Sequence, residues 1–274
     1  MIKNIMSVDL EDYFCDLPFD TWKNYESRII STTSVLLDLF KKYNVSATFF
    51  CLGYIAEQFP ELIEEIIKDG HEIASHGYSH IDIRKMSPEH FESDLVRSIN
   101  ILENISGEKV LGFRAPFFSI DNQNFWALKI LKNHLKYDSS IFPVKTPLYG
   151  NPTAPRYPYR ISEKIPLTDD PDSTFLEIPP ATLHLPVIHN IPIAGGFYMR
   201  FLPLSLLKLG IKKMNQSKQP AMCYIHPKDL DSNMPCIPEY SWYYYWGLKN
   251  AAKKFESLLK NFHFSSVRDV MFLK

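Results

Sequence analysis

The sequence predicts an α/β protein, a distorted (β/α)7-type barrel with a Pro-rich loop elaboration. Three observations predict this fold. Short β-rich runs alternate with amphipathic helical patterns over the 274 residues, which favours a parallel sheet. Seven or eight such units favour a closed or nearly closed barrel. Eleven of the twenty prolines lie between Pro143 and Pro192, where the alternation breaks.

Eight segments have the length and composition of β-strands. Each is a short run rich in β-branched, aromatic or other apolar residues, and helical patterns separate most of them. The predicted strands are residues 2–9, 46–52, 71–75, 110–114, 136–140, 175–179, 221–225 and 265–268.

Four helices are predicted between these strands. Apolar residues recur at helical spacing in residues 33–43. A second helix, 60–69, begins at Pro60 and stops at Gly70. Ser87 has the character of an N-cap before the first-turn proline of a third helix. The last helix covers about 246–261.

The Pro-rich segment, about 142–192, predicts loops and short strands over one end of the barrel. Proline cannot donate a hydrogen bond to a strand ladder, so regular βα repeats are disfavoured there. No internal repeat, low-complexity tract or linker divides the chain. We therefore predict a single domain over residues 1–274.

Composition and charge exclude several classes of function. The formal net charge is −1, so nothing calls for nucleic acid or an anionic membrane. No secretory signal opens the chain and no apolar run reaches membrane-spanning length. The four cysteines form no C-x-x-C pair. These features predict a cytoplasmic protein with free thiols, no transmembrane segment and no nucleic-acid partner.

Three acids follow the first predicted strand closely, in the stretch SVDLEDYF. They are Asp9, Glu11 and Asp12. A cluster of carboxylates at a strand end that faces a cavity needs positive charge opposite it. A bound dication would supply that charge.

Two histidines follow the third predicted strand, in the stretch GHEIASHGYSH. His76 and His80 would share one face if this segment is helical, and both imidazoles could then reach one ion. Two histidines and one carboxylate leave metal positions free for water and substrate. The H-x-x-x-H spacing alone is weak evidence, but carboxyl ends of parallel strands are where active sites collect.

Two further strand ends carry ionisable groups. GFRAPFFSI presents Arg114 and Pro116, and CYIHPKDLD presents His226. Alone, Arg114 is compatible with a rim salt bridge and His226 with a capping or buried structural histidine. Four such strand ends in one βα protein favour an active site.

Aromatic residues leave a further question open. The run of Trp242 with Tyr243, Tyr244 and Tyr245 is compatible with a sugar-binding cleft, but we prefer core packing as its role. Arg200, among aromatic residues after a glycine pair, is compatible with a substrate contact or with a turn into the next helix.

With these motifs in order, the chain resembles the polysaccharide deacetylase family, carbohydrate esterase family four. Its chitooligosaccharide deacetylase homology domain is a distorted seven-stranded β/α barrel. The resemblance runs from Ser7 to about Asp231 and is greatest to a branch associated with bacterial exopolysaccharide clusters. The combination of motifs is specific, although each motif alone is not.

The resemblance implies roles for individual residues. Asp9 matches the general base, Arg114 the arginine that holds it, and His226 the general acid. His76 and His80 match metal ligands. The resemblance also implies substrate-site roles for the backbone N–H of Phe117, as an oxyanion donor, and for Pro116, as part of the groove wall.

This chain departs from the common pattern of two adjacent acids, because Leu10 follows Asp9. The carboxylate ligand is therefore Glu11 or Asp12. Glu11 would share a face with Asp9 if the chain stayed extended, whereas Asp12 would reach the site if the chain turned. We prefer Asp12, whose shorter side chain suits a ligand close to the backbone, and keep Glu11 as the alternative.

The resemblance implies a metal-dependent carbohydrate N-deacetylase. Its expected cofactor is one divalent metal. Zinc is the preferred ion, and cobalt, nickel or iron would fit the same donors. Its expected partner is an N-acetylated sugar, a glycan, or a nucleotide-linked or lipid-linked precursor. The alternatives are an amidase or deformylase on the same barrel and a non-catalytic glycan-binding protein.

Overall fold

A sheet of nine strands forms the centre of the molecule over the part of the chain that the structure, a computed structural model, describes: residues 2–185 and 189–273. Its order is β10-β1-β2-β3-β4-β5-β7-β6, and β11 pairs with β1. The strands are β1 (Asn4–Leu10), β2 (Thr48–Cys51), β3 (Glu72–Ser75), β4 (Gly112–Phe113), β5 (Tyr137–Asp138), β6 (Tyr159–Arg160), β7 (Leu176–Glu177), β8 (Thr182–Leu185), β9 (His189–Pro192), β10 (Met222–Ile225) and β11 (Phe264–Ser265).

The sheet confirms the predicted fold class. Seven neighbouring strands from β10 to β7 are parallel, and only β6 at the edge is antiparallel. The backbone N–H of Ala181, after β7, donates to the carbonyl of Met222 on β10 at 2.8 Å. This bond connects the two ends of the parallel series. The architecture is a curled, distorted (β/α)7-type barrel, and every predicted strand has a counterpart in it.

Helices surround the sheet. The predicted helix at 33–43 begins earlier, at Ile29, and helices at 53–58, 126–134, 196–201 and 204–216 were not predicted individually. Ser87 caps α4 as predicted, accepting a hydrogen bond from the backbone of His90 at 3.3 Å. The helices are α1 (Ile29–Tyr43), α2 (Gly53–Gln58), α3 (Pro60–Lys68), α4 (Pro88–Ser106), α5 (Trp126–His134), α6 (Gly196–Phe201), α7 (Leu204–Gln216) and α8 (Leu248–Asn261).

The hydrophobic core lies between this sheet and its helices. All seven residues of β1 are buried, as expected for a parallel strand covered on both faces. Phe40 of α1 and Ile63 of α3 pack against Phe49 and the rest of the core with no exposed surface. None of the described helices is long and apolar enough to cross a membrane.

The predicted Pro-rich elaboration, 142–192, contains β6 to β9, and its residues 186–188 lie outside the described part of the chain. β6 and β7 extend the main sheet, while β8 and β9 form a separate antiparallel hairpin. The segment therefore consists largely of loops and short strands.

The parallel order brings four strand ends together. β1, β3, β4 and β10 all point their carboxyl ends toward the same end of the barrel, because they are parallel members of one sheet. The chain leaves these strands at Glu11, His76, Arg114 and His226. Residues more than 200 positions apart thereby face one another.

We expect His71 to make the stability of the fold depend on pH. Its ring is buried between Phe40 and Phe49, and its Nδ1 accepts a hydrogen bond from the backbone of Ala47 at 3.1 Å. Burial lowers its pKa from 6.5 to about 4. The unfolded chain therefore takes up a proton first, and the stability from neutral His71 is lost as pH falls from about 6.5 toward about 4.

A His71→Asn variant tests this, because asparagine keeps an acceptor but does not titrate. Urea unfolding of the wild type should lose up to roughly 1.4 kcal/mol per pH unit in this window through His71 alone. The variant should show a shallower decline, and His90→Asn at an exposed helical position should decline like the wild type. Equal slopes for His71→Asn and the wild type would contradict the prediction.

Candidate active site

A buried arginine and aspartate pair occupies the centre of this end of the barrel. The Arg114 side chain has no exposed surface, and its Nη1 donates to Asp9 Oδ1 at 2.5 Å and to Ser7 Oγ at 3.0 Å. Its Nε and Nη2 donate to the carbonyl and hydroxyl of Ser139. The guanidinium also lies 4.2 Å from the centre of the Phe50 ring. Asp9 is thereby held in one orientation by a charge that compensates its own.

The second carboxylate oxygen of Asp9 faces His226. Asp9 Oδ2 lies 3.8 Å from His226 Nε2, so these groups are close without a direct hydrogen bond. The structure thus brings together the three residues that the sequence analysis assigned to catalysis, Asp9, Arg114 and His226.

A second cluster adjoins this pair and consists of Glu11, His76 and His80. One ligand atom from each lies within 4.8 Å of the others, and all three residues are buried. His76 Nδ1 lies 2.7 Å from the carbonyl of Arg114, and His80 Nδ1 lies 3.0 Å from the carbonyl of Cys15. A carbonyl can only accept, so both Nδ1 atoms carry the proton. Both Nε2 lone pairs are then available to a metal.

The donor set fits a cation. Glu11 Oε2 is buried without a hydrogen-bond partner, and it lies 2.7 Å from His80 Nε2. With His80 Nδ1 protonated, two lone-pair atoms face each other, which requires a proton or a metal ion at this position. Burial lowers the pKa of His76 to about 4, so this ring is neutral at pH 7.

The charges around Glu11 keep it ionised. Burial alone would raise its pKa, but Lys228, His80 and His226 together hold that pKa well below its ordinary value. Lys228 Nζ donates to Glu11 Oε1 at 2.8 Å and to Asp16 Oδ2 at 2.9 Å. Lys228 and Asp16 were not predicted as site residues from the sequence. No motif spacing relates them, because only the fold brings residue 228 beside residues 11 and 16.

The preference for Asp12 as the carboxylate ligand is not supported, since the structure places Glu11 beside the histidines. The Glu11 N–H donates to the Asp9 carbonyl at 3.0 Å, in a tight turn. Asp12 instead accepts hydrogen bonds from Ser27 Oγ at 2.5 Å and from the backbone of Arg28 at 3.0 Å. Its carboxylate connects the loop after β1 to the start of α1.

The histidine pair reaches the cluster without a helix. Residues 76–80 form an irregular loop in which Gly77 and His80 have positive φ angles, 77° and 54°. The rings of His76 and His80 are 5.2 Å apart between centroids. The spacing correctly indicated proximity, but a loop rather than a helical face produces it.

Asp229 orients His226 and was also missed. Its Oδ2 accepts from His226 Nδ1 at 2.8 Å and from the His226 backbone at 2.9 Å. Arg200 Nε lies 3.0 Å from Asp229 Oδ1 and the residue also lines the cavity, so Arg200 is more than part of a turn. A Cβ on Gly196 would lie 1.6 Å from Asp229 Oδ2, so only glycine leaves room for this carboxylate. An acid three residues after a strand-end histidine could have been identified from capping-box spacing.

These contacts set the charge of His226. Burial would lower its pKa, but Asp229 raises it above the ordinary value. The Asp229 pKa falls to about 2 because His226 and Arg200 outweigh the effect of burial. His226 therefore presents Nε2 to the cavity while Asp229 holds its Nδ1 proton.

The two residues assigned to the oxyanion and groove wall behave differently. Phe117 lines the cavity with a positive φ of 57°, and its backbone N–H has no backbone acceptor among the described residues. Pro116 is buried and does not line the cavity. Its carbonyl accepts from Ser119 Oγ at 2.6 Å, so Pro116 shapes the turn behind the wall rather than the wall.

A cavity of about 620 Å³ opens over both clusters. Its size suits a small-molecule ligand or one unit of a polymer. Polar and charged groups lie at its base, and aromatic side chains form much of its wall. The aromatic lining residues are Phe117, Phe118, Tyr149, Phe197, Tyr198, Tyr224, Tyr243 and Tyr244.

Two family models match the chain. Residues 17–134 match polysaccharide deacetylase, and residues 139–272 match a domain of unknown function, DUF3473. A peptidoglycan deacetylase of Helicobacter pylori is 37% identical over 106 residues, which cover 39% of this chain and 36% of that protein. A peptidoglycan-N-acetylglucosamine deacetylase of Bacillus cereus is 36% identical over 96 residues, 35% of each chain.

The matches thus span about a third of the length of these curated relatives. A solved structure from Mycobacterium smegmatis, described as a candidate polysaccharide deacetylase, aligns with 96% of this chain and 86% of its own at 19% identity. Its TM-score of 0.60 shows a likeness of fold. The match over residues 17–134 therefore identifies a polysaccharide deacetylase segment in this chain.

Proposed function

We propose that the protein is a metal-dependent hydrolase that removes an N-acyl group, acetyl first, from an amino sugar in a glycan or glycan precursor. The observation that carries this proposal is the juxtaposition of two units in one cavity. The Asp9–Arg114 pair can accept a proton, and the Glu11, His76 and His80 cluster can hold a cation. The deacetylase names of the curated relatives support the same reaction.

Glu11, His76 and His80 would hold the metal, and zinc suits one carboxylate and two imidazoles best. When bound, the metal supplies Lewis acidity toward the amide carbonyl and makes water more acidic. The carbonyl groups of Arg114 and Cys15 orient the two imidazoles toward it.

Asp9 would act as the general base. Its Oδ1 is bound to Arg114, so only Oδ2 is free to take a proton from the attacking water. The water oxygen forms a bond to the carbonyl carbon of the acyl group. The Phe117 N–H, which lines the cavity, would donate to the oxygen that becomes negative in this step.

His226 would act as the general acid. Its pKa is raised by Asp229, so a protonated imidazolium is available near Asp9 and Glu11. Donation from Nε2 to the amide nitrogen lets the C–N bond break. The products are a carboxylic acid, acetate for an acetyl group, and the free amine on the sugar.

We propose that one catalytic domain extends across both family-model matches. The sheet supports this, because β1 to β4 precede residue 134 while β5, β7 and β10 follow it. All four cysteines are free, which favours a reducing compartment such as the cytoplasm. A role in exopolysaccharide synthesis remains a prediction from the resemblance of the opening SVDLEDYF motif.

Glu11→Gln and Asp12→Asn form a matched pair that tests the metal site. Glu11→Gln should weaken zinc binding by at least roughly 100-fold, since it removes the anionic ligand. Asp12→Asn should leave zinc affinity close to that of the wild type, because Asp12 contacts the loop and α1. Competition with a fluorescent chelator measures both affinities. A loss in Asp12→Asn equal to that in Glu11→Gln would restore Asp12 as the ligand.

Asp9→Asn tests the general base. The variant should bind zinc but lose on the order of 10²–10⁴-fold in kcat, because an amide cannot take the proton from water. Acetate release from zinc-loaded enzyme on N-acetylglucosamine oligomers measures this loss, with chelator-treated wild type as a second inactive reference. Asp16→Asn, a change to another acid of the cavity wall, is the control and should affect kcat much less. Full activity in Asp9→Asn would refute the proposed role.

A further inference from the structure

We propose that an aromatic strip beside the cavity binds further sugar units of a neutral glycan chain. The strip consists of Phe197, Phe201, Trp242, Tyr243 and Trp246. The inference rests on the proposed function and extends it, because it assigns the residues that would hold sugar units beyond the one in the cavity.

The strip is continuous with the cavity. Phe197 and Tyr243 line the cavity, and their ring centroids are 6.0 Å apart. Phe197 stacks on Phe201 at 5.4 Å, and Tyr243 contacts Trp242 at 6.1 Å. Trp246 completes the set at 5.7 Å from Trp242 and 6.5 Å from Phe201. A chain that leaves the cavity on this side therefore passes directly onto further rings.

The outer rings of the strip are exposed. Trp242 is 63% exposed, Trp246 52% and Phe201 50%. Single exposed apolar side chains are ordinary, but three large contiguous rings indicate a binding surface. Core packing is therefore wrong for Trp242, whereas Tyr244 and Tyr245 do pack against the hydrophobic core, and Tyr243 and Tyr244 line the cavity.

The strip is also held rigidly from beneath. Arg200 Nη1 donates to the carbonyl groups of Tyr243, Tyr244 and Trp246, at 3.3, 3.0 and 2.5 Å. Lys254 Nζ in turn donates to the carbonyl of Arg200 at 2.8 Å. These partly buried bonds fix the backbone that carries the rings before any ligand binds. Such preorganisation lowers the entropy that binding would otherwise cost.

The charge around the strip favours a neutral ligand. Residues 238–249 contain one acid and one base, Glu239 and Lys249. Attraction to anionic lipid requires a cluster of basic residues, which this segment lacks. The apolar C–H faces of sugar rings match flat aromatic surfaces, and the indole N–H can donate to a hydroxyl. A neutral glycan chain meets these conditions better than a membrane does.

The test compares substrates of increasing length. Zinc-loaded wild type should show kcat/KM that rises along the N-acetylglucosamine series from monomer to hexamer. Trp242→Ala and Trp246→Ala should each lose roughly tenfold on the hexamer, through KM, and keep the wild-type value on the monomer. Ile30→Ala, an exposed apolar residue outside the cavity lining, is the control and should behave like the wild type.

The outcomes separate this inference from the proposed function. If the wild type hydrolyses the series but Trp242→Ala keeps the full length dependence, the aromatic strip is not a sugar site. If no sugar is hydrolysed, the proposed reaction is wrong. Calorimetric titration with the hexamer then determines separately whether the aromatic strip binds sugar. Tighter binding by wild type than by Trp242→Ala would support it, and equal binding would overturn it. Trp242-dependent binding to phosphatidylglycerol vesicles, without an effect on oligomers, would also overturn it.

Discussion

The contact between Arg114 and Asp9 is the interaction on which the rest of the site depends. The guanidinium is fully buried, and such a charge is stable only when it is paired and hydrogen-bonded. Its side chain reaches β1 through Asp9 and the chain after β5 through Ser139. Its backbone carbonyl, at the same time, accepts from His76 Nδ1. One residue thereby fixes both the proposed base and one proposed metal ligand.

The same residue explains why the sheet must curl. Arg114 lies 4.2 Å from the ring of Phe50 on β2 and 5.1 Å from that of Tyr224 on β10. Strands from opposite parts of the sheet order therefore meet around one cation. In a flat sheet β10 and β4 would be separated by three intervening strands, and Arg114 could not approach Tyr224. The distorted barrel and the candidate site are consequences of the same packing.

Much of this arrangement could be predicted from the sequence. Strand periodicity located every parallel strand. Because the carboxyl ends of parallel strands converge, the proximity of Asp9, His76, Arg114 and His226 could also be predicted. That Glu11 rather than Asp12 would lie beside the histidines could not be predicted, because it depends on one tight turn after β1. Glu11 and Asp12 are adjacent carboxylates, so neither residue type nor position in the chain distinguishes them. Their hydrogen-bond partners do, and the partners of Asp12, Ser27 and Arg28, are set by the fold of the loop.

The ion pairs that sequence reasoning missed share a physical cause. Lys228 and Arg200 act through long-range pairs with acids, and sequence spacing carries no information about such pairs. They also lie in the segment that matches a domain of unknown function, as do His226 and Asp229. The residues of this segment close the barrel and complete the charge balance of the site. The segment that matches polysaccharide deacetylase, residues 17–134, contains His76, His80 and Arg114, whereas Asp9 and Glu11 precede it and the proposed acid follows it.

A crystal structure of the zinc-loaded protein with acetate bound, with anomalous data collected at the zinc edge, tests the central claim most directly. The account predicts one strong anomalous peak coordinated by Glu11, His76 and His80. Asp9 should remain on Arg114 with its free oxygen toward the acetate, and Asp12 should remain on Ser27. A peak at another set of residues, or an Asp9 carboxylate that has left Arg114 to bind the metal, would contradict it.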